Sequence, residues 1–221
     1  NYWKIRLNRI LRDLTDISQF LIYAISFFLG RTRLIGGLMP FGTAFYASTM
    51  GFETNRLIVG ACIILGMITQ GAGTNIYKTL ASMLLFNAFN IPLVKLKKNA
   101  RIKYAATASA AALIPELLFV HLQGFLLYDL ILALFNTLVV FTTVIIFRNA
   151  VTYISGRKNA AISNEEMISL TILVAVALTG LWKVKIAAFS LGNIAFVLLT
   201  SAVGYACGAG AGAAAGVTSG L

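Results

Sequence analysis

The sequence predicts an all-α fold: a polytopic helical membrane protein with about eight transmembrane helices and the start of a ninth. Three observations predict it. Of the 221 residues, 59% are apolar and only 11% are charged, against roughly 45–50% and 25% in soluble domains. Mean hydropathy is +0.86. The apolar residues also fall in blocks separated by short basic or glycine-containing gaps. A water-soluble fold of this size could not hide so much apolar surface, and a bilayer is the simplest solvent for it.

The chain divides into an amphipathic cytoplasmic or interfacial segment, 1–16, and a multi-spanning domain, 17–221. Within 2–14, Trp3, Leu7, Ile10, Leu11 and Leu14 recur at helical spacing, and Lys4, Arg6, Arg9 and Arg12 fill much of the remaining surface. Such a helix suits an anionic membrane face; the alternative is an ordinary solvated basic tail. No cleaved signal peptide is visible. The first residue is Asn1 rather than Met, and Leu221 falls inside a Gly/Ala run. Both ends therefore read as cut from a longer chain.

The apolar segments are placed at 17–30, 34–51, 57–71, 75–94, 104–120, 125–147, 167–182 and 187–207. The second contains Pro40 within GGLMPFG, so it reads as broken, either by a packing kink or as a re-entrant helix. Pro115 predicts a kink in the fifth. Before the seventh, Ser163 and Glu166 form an S-x-x-E capping box, and Glu165 and Glu166 suit a helix amino terminus. The run from Val184 to Leu221 is too long for one span. It is broken near 208–212, with 213–221 opening a ninth helix.

With the amino terminus in the cytoplasm, alternation puts 13 Lys and Arg inside and 5 outside, the outer five being Arg31, Arg33, Lys78, Lys183 and Lys185. That is a positive-inside bias. The net charge of +11 then reflects topology and lipid headgroup contact, above all in the run 93–104, rather than nucleic-acid binding. The partner implied is the lipid bilayer.

Candidate functional residues are few. Glu116 and Asp129 are carboxylates inside apolar segments, where an ionised group costs about 2.5–3.5 kcal/mol at the bilayer centre. Glu116 stands four residues before the end of its segment and Asp129 four after the start of the next. They could meet His121 at one rim, or simply be solvated at the interface. Gly204, Gly208, Gly212, Gly216 and Gly220 repeat every four residues and could form a helix-packing or oligomer face, or a hinge. Cys62 and Cys207 lie in apolar stretches, which argues against a disulfide, and their spacing fits no metal motif. Phosphate-binding, zinc-protease and nucleophile-elbow motifs are absent. No catalytic, cofactor-binding or metal-binding residue is assigned, and an intramembrane enzyme is the last-placed reading. A small-solute or ion transporter, with Glu116, Asp129 and the Pro40 break as its site, is the alternative.

The run SFFLGRTRLIGGLMPFGTAFYAS, 26–48, resembles the first membrane hairpin of the stage II sporulation protein E family, with Gly30, Arg31, Pro40 and Phe41 at the motif positions. The stretches 162–181 and 205–221 and the segment around Tyr128–Asp129 match in the same order. The resemblance implies about ten membrane helices followed by a cytoplasmic regulatory region and a PP2C-type serine phosphatase domain. That domain would use aspartate-bound Mn²⁺ or Mg²⁺ to dephosphorylate an anti-anti-sigma factor and so activate the forespore sigma factor. None of its aspartates falls on this chain, which needs no cofactor of its own. The resemblance further implies placement in the bacterial cell membrane at the polar septum, association with division and sporulation proteins, and self-association.

Overall fold

A computed structural model describes residues 17–93, 100–122, 124, 126–155, 164–181, 185–186, 189–190, 197–198, 200–201 and 204–205. Seven α-helices lie among them: α1 Ile17–Arg31, α2 Pro40–Ser48, α3 Arg56–Thr69, α4 Asn75–Leu93, α5 Ala100–Leu122, α6 Leu127–Ile154 and α7 Asn164–Thr179. A two-residue antiparallel ladder, β1 Lys185–Ile186 with β2 Phe189–Ser190, follows. The eighth segment, expected to be helical from 187, has strand β2 at Phe189–Ser190, and its described residues at 197–198, 200–201 and 204–205 are helical. The amphipathic segment 2–14, Ser163 of the capping box and the helix expected at 213–221 lie outside the described residues.

Among the described residues, two helices are long and apolar enough to cross a membrane, Arg101–Leu122 and Leu127–Ile154. The latter's 28 residues reach about 42 Å at about 1.5 Å each. By the same measure the 14 residues of the apolar helix α3 reach about 21 Å, short of the roughly 30 Å core. The structure thus supports a helical chain with two such helices; the full set of about eight spans goes beyond it.

The second segment departs most from a simple helix. Gly36 and Gly37 adopt φ of 74° and 78°, a left-handed conformation that ends any helix and that glycine enters without steric cost. A single 3₁₀ turn at Ile35–Gly37 precedes an extended Leu38. Helix α2 then begins at Pro40. Proline suits this first position because its missing N–H has no intrahelical acceptor there. Pro40 therefore starts a helix rather than kinking one. Pro115, by contrast, sits inside α5, which runs on past it.

All nine residues of α2 are buried. The helix is the hub of the bundle, packed chiefly on α6 and also touching α1, α3, α4 and α5. Phe45 and Phe147, both fully buried, meet edge to face at 6.1 Å, and Phe41 lies 6.3 Å from the same ring. On the opposite flank Tyr46 meets Phe86 at 6.2 Å and accepts a hydrogen bond from Asn87 at 2.8 Å.

The helices alternate in direction, giving the bundle two ends. At one, Arg31 donates to the Gly180 carbonyl at 3.0 Å and to Thr69 Oγ1 at 2.5 Å. Arg33 donates to the Gln70 and Gly71 carbonyls, both at 2.7 Å. Apart from the Thr69 hydroxyl, these acceptors are carbonyls of the residues just past the carboxyl ends of α3 and α7, where the negative end of the helix dipole lies. At the other end, Arg148 donates to the Met50 carbonyl at 2.9 Å and lies over the Tyr104 ring at 4.5 Å and the Phe52 ring at 5.3 Å.

Close backbone packing holds α1, α3 and α7 together. A Cβ added at Gly30 would overlap the Ile63 carbonyl, one at Gly66 the Phe27 carbonyl, and one at Gly180 the Phe28 carbonyl. Such approaches need residues without side chains, as in other membrane helix pairs.

Candidate functional site

Where α2 begins, three helices direct polar groups at it. Lys78 stands near the start of α4, Glu116 in the second half of α5 and Asn136 in the third turn of α6. Lys78 Nζ is 2.7 Å from Glu116 Oε2. Asn136 Nδ2 donates to Glu116 Oε1 at 3.3 Å. Glu116 and Asn136 are buried, with 9% and 6% of their surface exposed. The Lys78 ammonium also lies 5.2 Å from the Phe119 ring. One step outward, Asn75 Nδ2 donates to the Gly37 carbonyl at 2.9 Å, tying the glycine turn to α4.

Met39, Thr43, Asn75, Thr79, Ser82 and Ala112 complete the lining of a cavity of ≈ 10 Å³ among these groups. From helix positions the cluster lies about 5 to 14 Å inside the nearer helix ends, at about 1.5 Å per residue. Burying an ion pair costs desolvation that its mutual attraction repays only with good geometry and further hydrogen bonds. The 2.7 Å contact and the Asn136 amide supply those conditions here.

This arrangement differs from a shared rim cluster. Glu116 turns inward to Lys78, whereas His121 is exposed and Asp129 is half-buried in the first turn of α6. No ion pair joins Glu116 to either of them among the described residues. Glu165 and Glu166 do occupy the first turn of α7. Gly204 is helical and half-buried, while Gly208, Gly212, Gly216 and Gly220 lie outside the described residues.

Sequence reasoning missed Lys78 and Asn136. Lys78 reads as one more outer-loop cation, but it falls within an apolar segment, and that is the signal. Asn136 is a single amide inside LILALFNTLVVF, just as an isolated polar residue in a span should be. Gly66 and Gly180 were missed as well, since a lone glycine in a helix or just past its end gives no sign of the backbone it will meet.

The outer surface of α5 and α6 is the inverse of this interior. Ile114, Leu117, Leu118, Leu127, Ile131, Leu134, Phe135 and Leu138 are all exposed. Polar groups inside and large apolar groups outside, over helices long enough to span, suit association with a membrane.

The family model for the SpoIIE N-terminal domain matches residues 2–221, nearly the whole chain. The chain belongs to this family. Membership makes it a sporulation-related membrane region, in agreement with the two long apolar helices. Within the SpoIIE N-terminal domain, the residues that carried the hairpin resemblance now have physical roles. Gly30 admits α3, Arg31 closes the ends of α3 and α7, Pro40 starts the buried half-helix, and Phe41 packs on Phe147. Comparisons with curated proteins and with solved structures gave no match.

Proposed function

We propose that this chain is the membrane-anchoring and septum-localising region of a sporulation serine phosphatase. The phosphatase would dephosphorylate an anti-anti-sigma factor and thereby activate the forespore sigma factor. The family match over 2–221 carries the reading, and the aliphatic surface of α5 and α6 supports its membrane part. The chain itself holds no catalytic role. It keeps the enzyme at one bilayer, concentrates it there, and aids its self-association through the Gly204–Gly220 face.

The amino terminus lies in the cytoplasm and the chain crosses the bilayer several times. Of the five Lys and Arg assigned to the outer side, Arg31, Arg33 and Lys78 are bound to carbonyls or to Glu116. Lys78 is compensated by Glu116, which sharpens the positive-inside asymmetry.

The test is the size and location of the native product, detected in the source cell with an antibody against the loop between α6 and α7. A band much larger than 23.8 kDa that pellets with membranes is expected. A band near that mass would remove the phosphatase role. For self-association, Gly208→Leu or Gly212→Leu should shift the oligomer distribution in detergent towards smaller species. An unchanged distribution for both would defeat the packing role of that face.

A second reading, a small-solute or ion transporter, draws on one observation: Glu116 and the start of the broken segment at Pro40 meet at one buried polar cluster. Half-helix ends at transporter sites have this character. Flux in proteoliposomes that disappears in Glu116→Gln would favour it, and absence of flux for every ion tried would count against it.

A further inference from the structure

We propose that one water molecule is bound at the amino terminus of α2, held between Asn136, Lys78 and the first turn of that helix. The proposal stands whether the domain anchors or transports. Asn136 is the first reason. Its Oδ1 is buried and has no hydrogen-bond partner in the protein. The amide cannot be turned round to relieve this, because Nδ2 faces the Glu116 carboxylate and exchanging the two atoms would set oxygen against oxygen. An unsatisfied buried acceptor is costly, so a donor is called for.

Helix α2 is the second reason. Met39 makes no side-chain cap, and Pro40 has no N–H to offer. First-turn amides lack intrahelical acceptors, and Met39 and Thr43, which flank those of this buried helix, line the cavity. Lys78 has three ammonium protons, of which the contact with Glu116 uses one. The site thus offers one lone pair from Asn136 and several N–H donors.

Size and charge select the occupant. The cavity of ≈ 10 Å³ is about the smallest that holds a water, which needs two to four polar partners. A cation would face the Lys78 ammonium and the positive end of α2. An anion would face Glu116 and the Asn136 lone pair. A small neutral molecule that donates to Asn136 Oδ1 and accepts from N–H groups satisfies every partner, and water is that molecule.

Radiolytic hydroxyl labelling of the full chain in lipid nanodiscs tests this. Radicals formed from a bound water attack the side chains lining its site. Met39 lines the cavity and is 8% exposed, while Met50 is 7% exposed and lies elsewhere. Bulk solvent should therefore oxidise both at similar rates. Several-fold faster oxidation of Met39 is expected, and equal rates would overturn the proposal. In Asn136→Leu, Met39 should slow to the Met50 rate; persistence of fast Met39 labelling in a variant with unchanged Met50 labelling would also overturn it. Should that variant fail to fold, the wild-type Met39 to Met50 ratio decides alone. Labelling that follows the identity of the salt would assign the site to an ion and reject water.

Discussion

Glycines that look alike in the sequence differ sharply in what surrounds them. Gly66 lies against the Phe27 carbonyl, whereas a Cβ at Gly60 would meet only the Tyr46 ring at 3.5 Å, an ordinary contact. Gly66→Ala should therefore destabilise the domain by about 1–3 kcal/mol, the usual cost of overpacking. Gly60→Ala should be neutral or stabilising by up to about 1 kcal/mol through helix propensity. Thermal unfolding of the two variants in detergent separates them, and equal shifts would remove the close-packing account. The Lys78–Glu116 pair yields a second contrast. Lys78→Met leaves a mostly buried carboxylate without its cation and should cost about 3–5 kcal/mol, while Lys78→Met with Glu116→Leu should cost less than either single change. If the double variant is as unstable as the sum of the singles, the pair is not acting as a buried ion pair. Residue identities made Glu116 visible in the sequence as a carboxylate among apolar neighbours. Its partner 38 positions away was not visible, because only the antiparallel docking of α4 on α5 brings the two together.

Helix α2 shows how a broken element can organise a bundle. Its sequence, PFGTAFYAS, carries no charge and mixes small and aromatic residues, a composition suited to burial on every side. The break before it was legible, since Gly36, Gly37 and Pro40 all interrupt a helix. That Pro40 would open the helix was not, because proline can occupy a kink or a first turn and only the dihedral angles of its neighbours decide. Gly36→Ala should be costly, both from its positive φ and from the Leu132 side chain that a Cβ would meet at 3.2 Å. Pro40→Ala should cost little, as first-position proline makes no hydrogen bond that alanine lacks. Hydrogen exchange over 38–48 reads the difference: faster exchange in Gly36→Ala, near-native exchange in Pro40→Ala. A large effect of Pro40→Ala would contradict its place at the helix start. Arg31 acts at the same scale by joining three helices. Its replacement by Ala should speed exchange at the ends of α3 and α7 together, and an effect confined to α1 would show that the cross-helix bonds carry little.

At the scale of the molecule, the segments read from hydropathy correspond to helices from α1 to α7, because apolar blocks punctuated by glycine and charge dictate where the chain turns. Segment length alone left their depth open. Among the described residues two helices are long and apolar enough to span, while α2 with its nine residues and α3 with its 14 are shorter. The order of packing was not legible either, since α2 contacts five other helices through shape rather than through any sequence signal. The proposed topology is multi-spanning, with the Arg148 end cytoplasmic and the Arg31 end outside. Cysteine accessibility tests it most directly. With Cys62 and Cys207 replaced by Ala, single cysteines are introduced as Glu53→Cys at the Arg148 end and Thr74→Cys at the Arg31 end, both at exposed positions. A membrane-impermeant maleimide added to intact cells should label Thr74→Cys at once and Glu53→Cys only after permeabilisation. Equal labelling of both in intact cells, or labelling of Glu53→Cys alone, would contradict the account.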